Sequence, residues 1–99
     1  MRSTHLVPNE MNAPESLGLD TRASFREAVT ERLAALPDGG RLHIDFAATH
    51  HVDSAGLGAL MLIQRRAAER KQVVVLQHVG DEIRYLLNVT RLSELFELE

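Results

Sequence analysis

The pattern of hydrophobic and polar positions predicts several short strands. Apolar residues alternate with polar ones over 41–46, which is typical of a half-buried strand. The continuous apolar run within 72–77 indicates a strand that is covered on both faces. Further short strands are predicted at 4–7 and at the end of 90–98, and the segment around Met11 is predicted as either an edge strand or a loop.

Three other segments have the periodicity of helices. From Asp20, the predicted N-cap, to Leu36, apolar residues recur at the spacing of one helix face. A second helix is predicted from about Ala55 to Arg70, and its first half is apolar on nearly all sides, which favours a buried helix. A third helix is predicted over 80–88, with acidic residues in its first turn and a short helical turn after it.

This order of elements predicts an α/β protein with a small mixed β-sheet of about four to five strands packed with about four helices. The length suits a single domain over 1–99, in which 1–16 forms short N-terminal strands or a loop and 17–98 forms the core. In such sheets, functional sites gather beyond the carboxyl ends of the strands.

Composition narrows the class of function. A net charge of −3 does not favour nucleic acid as a partner, and the absence of cysteine excludes disulfides and thiol catalysis. We find no secretory leader and no membrane-spanning apolar run, so we expect a cytoplasmic protein without direct membrane insertion. With three Phe, one Tyr and no Trp, an aromatic-lined ligand pocket is difficult to build, and we expect no cofactor.

The stretch 43–63 indicates a strand, a turn and a helix, with Ser54 at the junction. Either Asp53 or Ser54 suits the N-cap of that helix. Gly56 and Gly58 fall in its first turn, where two poor helix formers indicate that another backbone or a ligand approaches closely. Because a helix N-terminus favours negative charge, a phosphate on Ser54 would be tolerated there. The alternative is that Ser54 only caps the helix.

Two chemical alternatives use the histidines of this region. A metal site would draw on His50, His51, Asp45, Asp53 and His78. Adjacent histidines in an extended segment point to opposite sides, and the sequence has no His-x-x-x-His pair and no cysteine ligand. A Ser–His–Asp hydrolase built on Ser54 lacks the Gly-x-Ser-x-Gly turn. We therefore expect neither a metal site nor catalysis.

The second predicted helix ends in a cluster of basic residues. The cluster consists of Arg65, Arg66, Arg70 and Lys71. Cations suit the negative end of a helix dipole, which is sufficient to account for them. A docking patch is the alternative interpretation.

The pair Asp45-Phe46 and the run Val52-Asp53-Ser54-Ala55-Gly56-Leu57-Gly58 resemble the core motif of STAS domains, as in bacterial anti-sigma factor antagonists. The resemblance extends from about Leu19 to Leu98. It includes Leu19-Asp20 before the first helix and the ending Leu92-x-x-Leu95-Phe96-x-Leu98. It implies the STAS fold for the α/β domain predicted above.

The resemblance also implies a protein-binding module that is not an enzyme. In such antagonists the serine after the motif aspartate is phosphorylated by a partner anti-sigma factor that is a serine protein kinase, so Ser54 is the implied acceptor. The unphosphorylated form binds that partner and frees a sigma factor, and a serine phosphatase resets the phosphorylated form. The implied partner surface comprises Asp20, Asp53, Ser54, Ala55, Gly56 and Gly58. We expect a monomer or a weak dimer.

The same resemblance leaves other functions open. A STAS subunit of a lipid-trafficking ABC transporter would stabilise the ATPase assembly, and Ser54 would then stay unmodified. A scaffold of another signalling complex would instead self-associate. Two positions depart from the family pattern: Arg91 stands where the family often has Gly, and Gly18 is displaced from the usual glycine position ahead of the first helix.

Overall fold

A computed structural model describes residues 9–99, in which a four-stranded sheet packs with three α-helices. The strands are β1 (Glu10–Asn12), β2 (Ser16–Leu17), β3 (Arg41–Asp45), β4 (His51–Val52), β5 (Val73–Gln77) and β6 (Glu97–Leu98). The helices are α1 (Arg22–Ala35), α2 (Ser54–Ala68) and α3 (Asp81–Val89), and a 3₁₀ turn spans Leu92–Glu94. The predicted strand at 4–7 lies outside the described residues.

The sheet has the strand order β1-β3-β5-β6, and β2 pairs separately with β4. Within 9–99 every strand pair is parallel, whereas the sequence predicted a mixed sheet. The reason is that helical crossovers return the chain to the same end of the sheet before each new strand. The α/β class is confirmed, and the segment around Met11 forms an edge strand rather than a loop.

The core lies between the sheet and the helices. Strand β3 contributes Leu42 and Ile44, strand β5 contributes Val74 and Leu76, and all four are at most 1% exposed. The helices bury the residues Phe25, Val29, Leu33, Leu60, Ile63, Ala67, Ile83 and Leu87. Each large apolar side chain buried in this way stabilises the fold by about 1.5–3 kcal/mol. In the described part of the chain, none of the helices has the length and apolarity needed to cross a membrane.

The prediction that α2 is buried on nearly all sides is wrong. Met61 is 47% exposed and Leu62 is 44% exposed, although both lie in the most apolar part of the helix. The helix packs against α1 and the sheet through one face only, and its opposite face stays open to solvent. Met61 and Leu62 therefore leave apolar surface of α2 in contact with solvent.

The predicted N-cap at Asp20 is also wrong, because the cap lies one residue later and α1 begins at Arg22. Thr21 is the N-cap, and a turn precedes it in which the Arg22 N–H donates to the Gly18 carbonyl oxygen at 2.8 Å. The Thr21 hydroxyl accepts the Gly18 N–H at 3.0 Å and donates to the Ser16 carbonyl oxygen at 2.7 Å. This turn joins α1 directly to β2, and it leaves Asp20 exposed.

The backbone conformation of Arg91 explains why the sequence pattern above has glycine at this position. Arg91 has φ of 65° and ψ of 12°, which is the left-handed conformation. That conformation costs an ordinary residue about 1–2 kcal/mol, whereas glycine adopts it freely. The Arg91 Nε donates to Glu94 Oε2 at 3.1 Å, but both side chains are largely exposed and such a surface pair adds little stability.

Gln72 fixes the end of α1 to the chain that leaves α2. The side chain is only 4% exposed, and its Nε2 donates to the carbonyl oxygens of Leu33 at 2.8 Å and of Leu36 and Pro37 at 3.2 Å. Arg70 donates to two of the same carbonyl oxygens, that of Leu33 at 3.2 Å and that of Leu36 at 2.8 Å, and the Gly40 N–H donates to the third. The end of α1 is therefore tied to the chain that leaves α2 by Gln72 and Arg70 together.

We predict that Gln72→Leu lowers the free energy of unfolding by about 0.5–1.5 kcal/mol, because the carbonyl groups at the end of α1 lose one donor and each keeps another. Gln64→Leu is the matched control. The side-chain oxygen of Gln64 is buried without a hydrogen-bond partner among residues 9–99, so its removal does not lower the free energy of unfolding. Urea denaturation of both variants measures the difference, and equal losses would contradict the prediction.

Candidate functional site

The short parallel ladder between β2 and β4 positions the start of α2. Leu17 lies opposite Val52, and both side chains are buried. The N–H of Asp53 then donates to the Leu17 carbonyl oxygen at 3.2 Å. The residue that opens α2 is therefore held by a strand from a distant part of the sequence.

Asp53 is the N-cap of α2, which decides between the two predicted candidates. Its backbone is extended, with φ of −101° and ψ of −173°, and its Oδ1 accepts the Gly56 N–H at 3.0 Å. That bond is the main reason why the pKa of Asp53 lies below its usual value; the N–H groups of Leu19 and Ala55 and the nearby His51 act in the same direction. The carboxylate is therefore ionised at neutral pH.

Ser54 is the first residue of α2, and its side chain is exposed. Its hydroxyl makes no hydrogen bond to any residue within 9–99, so it does not cap the helix. Leu19, in the turn before α1, is 67% exposed, and its N–H helps to lower the pKa of Asp53. The arrangement thus presents a free hydroxyl at a helix N-terminus, beside an ionised carboxylate.

The glycines of the first turn of α2 have different surroundings. A Cβ at Gly56 would lie 2.9 Å from the Leu17 carbonyl carbon and closer still to its oxygen, which confirms the predicted close approach of another backbone. A Cβ at Gly58 would have no atom of the described residues within 4 Å, so no such approach occurs there. Gly58 is exposed, whereas Gly56 is buried and supports the site from below.

Gly18 is a supporting residue that the sequence did not assign to the site. A Cβ at this position would lie 2.5 Å from Asp53 Oδ2, so only glycine lets the carboxylate come this close to the turn before α1. The sequence offered one indication of this role, which was that Gly18 is displaced from the glycine position expected from the resemblance. Its neighbour Asp53 is distant in sequence, and spacing alone therefore could not reveal the contact.

The remaining predicted site residues lie around this centre. Ala55 is half-buried in the first turn of α2, and Asp20 is exposed next to Leu19. Asp45, the first aspartate of the motif, has a structural role: its Oδ1 accepts the Ala47 N–H at 2.8 Å and lies 3.0 Å from His78 Nδ1. These two contacts, with the Ala47 bond the larger, lower the pKa of Asp45.

The histidines do not form a centre with the acidic residues. Both His50 and His51 are exposed, and the ring of His78 contacts one carboxylate, that of Asp45, with 3.0 Å between Nδ1 and Oδ1. Within the described range, no three His, Cys, Asp or Glu residues lie close enough together to hold a metal ion.

We predict opposite effects for alanine at the two glycines of α2. Gly56→Ala forces its Cβ onto the Leu17 carbonyl group and destabilises the fold by about 1–3 kcal/mol or more. Gly58→Ala meets open space and replaces a poor helix former, so it stabilises the fold by about 0.5–1 kcal/mol. Thermal unfolding followed by circular dichroism compares the two variants. A Gly56→Ala protein as stable as the wild type would disprove the close approach.

We predict that the wild-type protein has a higher free energy of unfolding than the uncharged variant Asp53→Asn, and that this difference depends on pH. Because folding lowers the pKa of Asp53, the charged form stabilises the fold above the usual pKa near 3.8, and this contribution is lost as the pH falls through the lower pKa of the folded state. The difference in free energy of unfolding between the two proteins is therefore largest at neutral pH and shrinks in acid. Denaturant titrations at several pH values measure it, and a constant difference would contradict the prediction.

Comparisons with known proteins agree with this geometry. A family model described as "Mlab, STAS domain" matches residues 4–97, and a comparison with curated proteins finds no match. A candidate anti-sigma factor antagonist from Thermotoga maritima has a similar structure, with a TM-score of 0.78 and 16% identity, over 93% of this chain and 80% of that chain.

Two further solved structures are similar. An anti-sigma-factor antagonist (STAS) domain protein from Planctomyces limnophilus has a TM-score of 0.76 and 16% identity, over 88% of this chain and 77% of that chain. A sulfate transporter family protein from Wolinella succinogenes has a TM-score of 0.74 and 17% identity, over 89% of this chain and 70% of that chain. The predicted fold is confirmed, while identities this low carry no assignment of partner or activity.

Proposed function

Because the chain belongs to the STAS domain family, we propose that it is an anti-sigma factor antagonist-like binding module whose partner is released when Ser54 is phosphorylated. The observation that carries the proposal is the exposed Ser54 hydroxyl, free of hydrogen bonds to the described residues, at the N-terminus of α2. The structural similarity to proteins described as anti-sigma factor antagonists supports it. The partner class is an anti-sigma factor that is also a serine protein kinase.

The fold is expected to tolerate the phosphate. A phosphoserine carries a charge of about −1.5 to −2 at neutral pH. The helix dipole stabilises an anion at an exposed position such as this by about 0.3–1 kcal/mol, although Asp53 next to it repels the new charge. Because Ser54 is exposed, the phosphate stays hydrated and requires no rearrangement of the core.

An interface over Ser54 is expected to tolerate the phosphate much less. A charge left buried and unpaired between two proteins costs on the order of 2–5 kcal/mol, which weakens binding about 30- to several-thousand-fold. Asp53 is ionised at neutral pH, so no protonation of its carboxyl relieves the repulsion. Phosphorylation therefore acts as a release signal, and a phosphatase resets it.

The surface proposed for the partner surrounds Ser54. It comprises the exposed residues Asp20, Leu19, Ser54 and Gly58 with Met61 further along α2, and Asp53 and Ala55 at its edge. Its apolar members give a partner a contact area free of charge, whereas Gly58 lets a partner backbone approach the helix. We propose that the protein acts by binding rather than by catalysis. We also propose that it is located in the cytoplasm.

We predict a phosphate on Ser54 in a fraction of the chain that changes with stress. Intact-protein mass spectrometry on the chain recovered from its own cells measures this fraction, and a Ser54→Ala chain is the control. The co-purified kinase is then titrated with both forms, and the phosphorylated form is expected to bind at least about 30-fold more weakly. A phosphate that persists in the Ser54→Ala chain, its absence under all conditions, or equal affinities of the two forms would refute the proposal.

A second candidate function is a subunit associated with a membrane transporter, of the lipid-trafficking ABC type. The similarity to the Wolinella succinogenes sulfate transporter family protein favours it. Under this function the same surface around Ser54 contacts an ATPase and the serine stays unmodified. An unmodified chain that co-purifies with a transporter ATPase would replace the first proposal with this one.

A further inference from the structure

A basic groove separates the exposed faces of α1 and α2. It encloses 410 Å³ and is lined by Arg26, Thr30, Leu62, Arg65, Arg66 and Glu69. Three arginines and one glutamate thus line the groove, in a chain whose net charge is −3. The groove is therefore locally positive, although the protein as a whole is negatively charged.

Several arginines of the chain have partners, whereas the groove arginines, like Arg22 and Arg84, have none among residues 9–99. Arg41 pairs with Glu97, Arg91 pairs with Glu94, and Arg70 pairs with Asp38 and donates to carbonyl oxygens at the end of α1. Arg32 is also engaged, through the Glu10 carbonyl oxygen. Among residues 9–99, by contrast, no ion pair or side-chain hydrogen bond is made by the three groove arginines, Arg26, Arg65 and Arg66.

This contrast divides the basic cluster predicted at the end of the second helix. Arg70 has the structural role expected of a cation near helix C-termini, because it donates to the Leu36 carbonyl oxygen at 2.8 Å. Arg65 and Arg66 have no such role and instead share a groove with Arg26 from the other helix. Several cations held close together repel one another unless an anion neutralises them, so the cluster favours an acidic ligand.

We propose that the groove binds an acidic segment of a partner protein, with carboxylates on the arginines and an apolar side chain against Leu62. Leu62 is 44% exposed and supplies the apolar contact between the charges. Glu69 and Thr30 line the same groove and suit a ligand that has N–H donors as well as carboxylates. A concave groove admits side chains of a peptide, whereas the flat surface of a bilayer does not enter it.

The position of the groove makes it separable from the Ser54 surface. Ser54 opens α2 and Arg65 lies in its last turns, so the two are roughly 16 Å apart along the helix axis. Gly58 and Leu62 follow Ser54 at intervals of four residues, so the two regions share one face of the helix. A partner that covers Ser54 has the groove within its reach, but binding of an acidic segment requires no phosphorylation.

The test uses a fluorescein-labelled synthetic peptide in which pairs of Glu alternate with Leu, and the full chain. Fluorescence anisotropy is expected to show binding that weakens about fivefold or more in Arg65→Glu and in Arg26→Glu, one from each wall of the groove. Arg84→Glu is the matched control, because Arg84 lies on α3, has no ion pair in the described part of the chain, and gives the same change of net charge. Raising the ionic strength from about 0.05 to about 0.5 M is also expected to weaken binding.

The proposal fails if the peptide does not bind, if Arg84→Glu weakens binding as much as the groove variants, or if a peptide with Gln in place of Glu binds equally well. It also fails if phosphatidylglycerol vesicles bind the chain through Arg65 while the peptide does not, since the ligand would then be a lipid surface. Thermal unfolding checks that the groove variants remain folded. If one of the two variants, Arg65→Glu or Arg26→Glu, unfolds, the binding measurement on the other one decides the outcome.

Discussion

The carbonyl group of Leu17 sets the geometry of the whole Ser54 region. Its oxygen accepts the Asp53 N–H, and its carbon and oxygen pack against the bare Cα of Gly56. One residue of a two-residue strand therefore fixes both the cap and the first turn of α2. Gly18, the next residue, leaves room for the Asp53 carboxylate on the other side. The exposed serine depends on a support made almost entirely of backbone.

Hydrophobic periodicity was sufficient to predict the elements that form the core. Strand β5 is buried on both faces, and α1 buries the face that its spacing indicated, because burial there follows from the apolar pattern itself. The start of α1 was misplaced because Thr21 bonds to Ser16 across a turn that no periodicity encodes. The exposure of Met61 was missed because an apolar residue does not reveal whether anything covers it.

The sequence identified the residues of the candidate site but did not predict how they contact one another. Asp53 and Ser54 both suit an N-cap, and only the backbone path through β4 makes Asp53 the residue that caps the helix. Gly18 was missed because its contact joins segments far apart in the chain. The basic groove has the same origin: Arg26 meets Arg65 only because α1 packs along α2, and a helix read alone shows only a charged end.

The pairing of β2 with β4 has a consequence for the order of folding. The two strands are parallel and separated by α1 and β3, so they meet only after a long loop has closed around that helix and strand. Such non-local contacts slow the folding of a domain, because the entropy of closing the loop is lost before the contacts form. The geometry around Ser54 therefore requires that residues 16–17 and 51–52 have already met. A partly folded chain without this pairing carries the same motif without its shape.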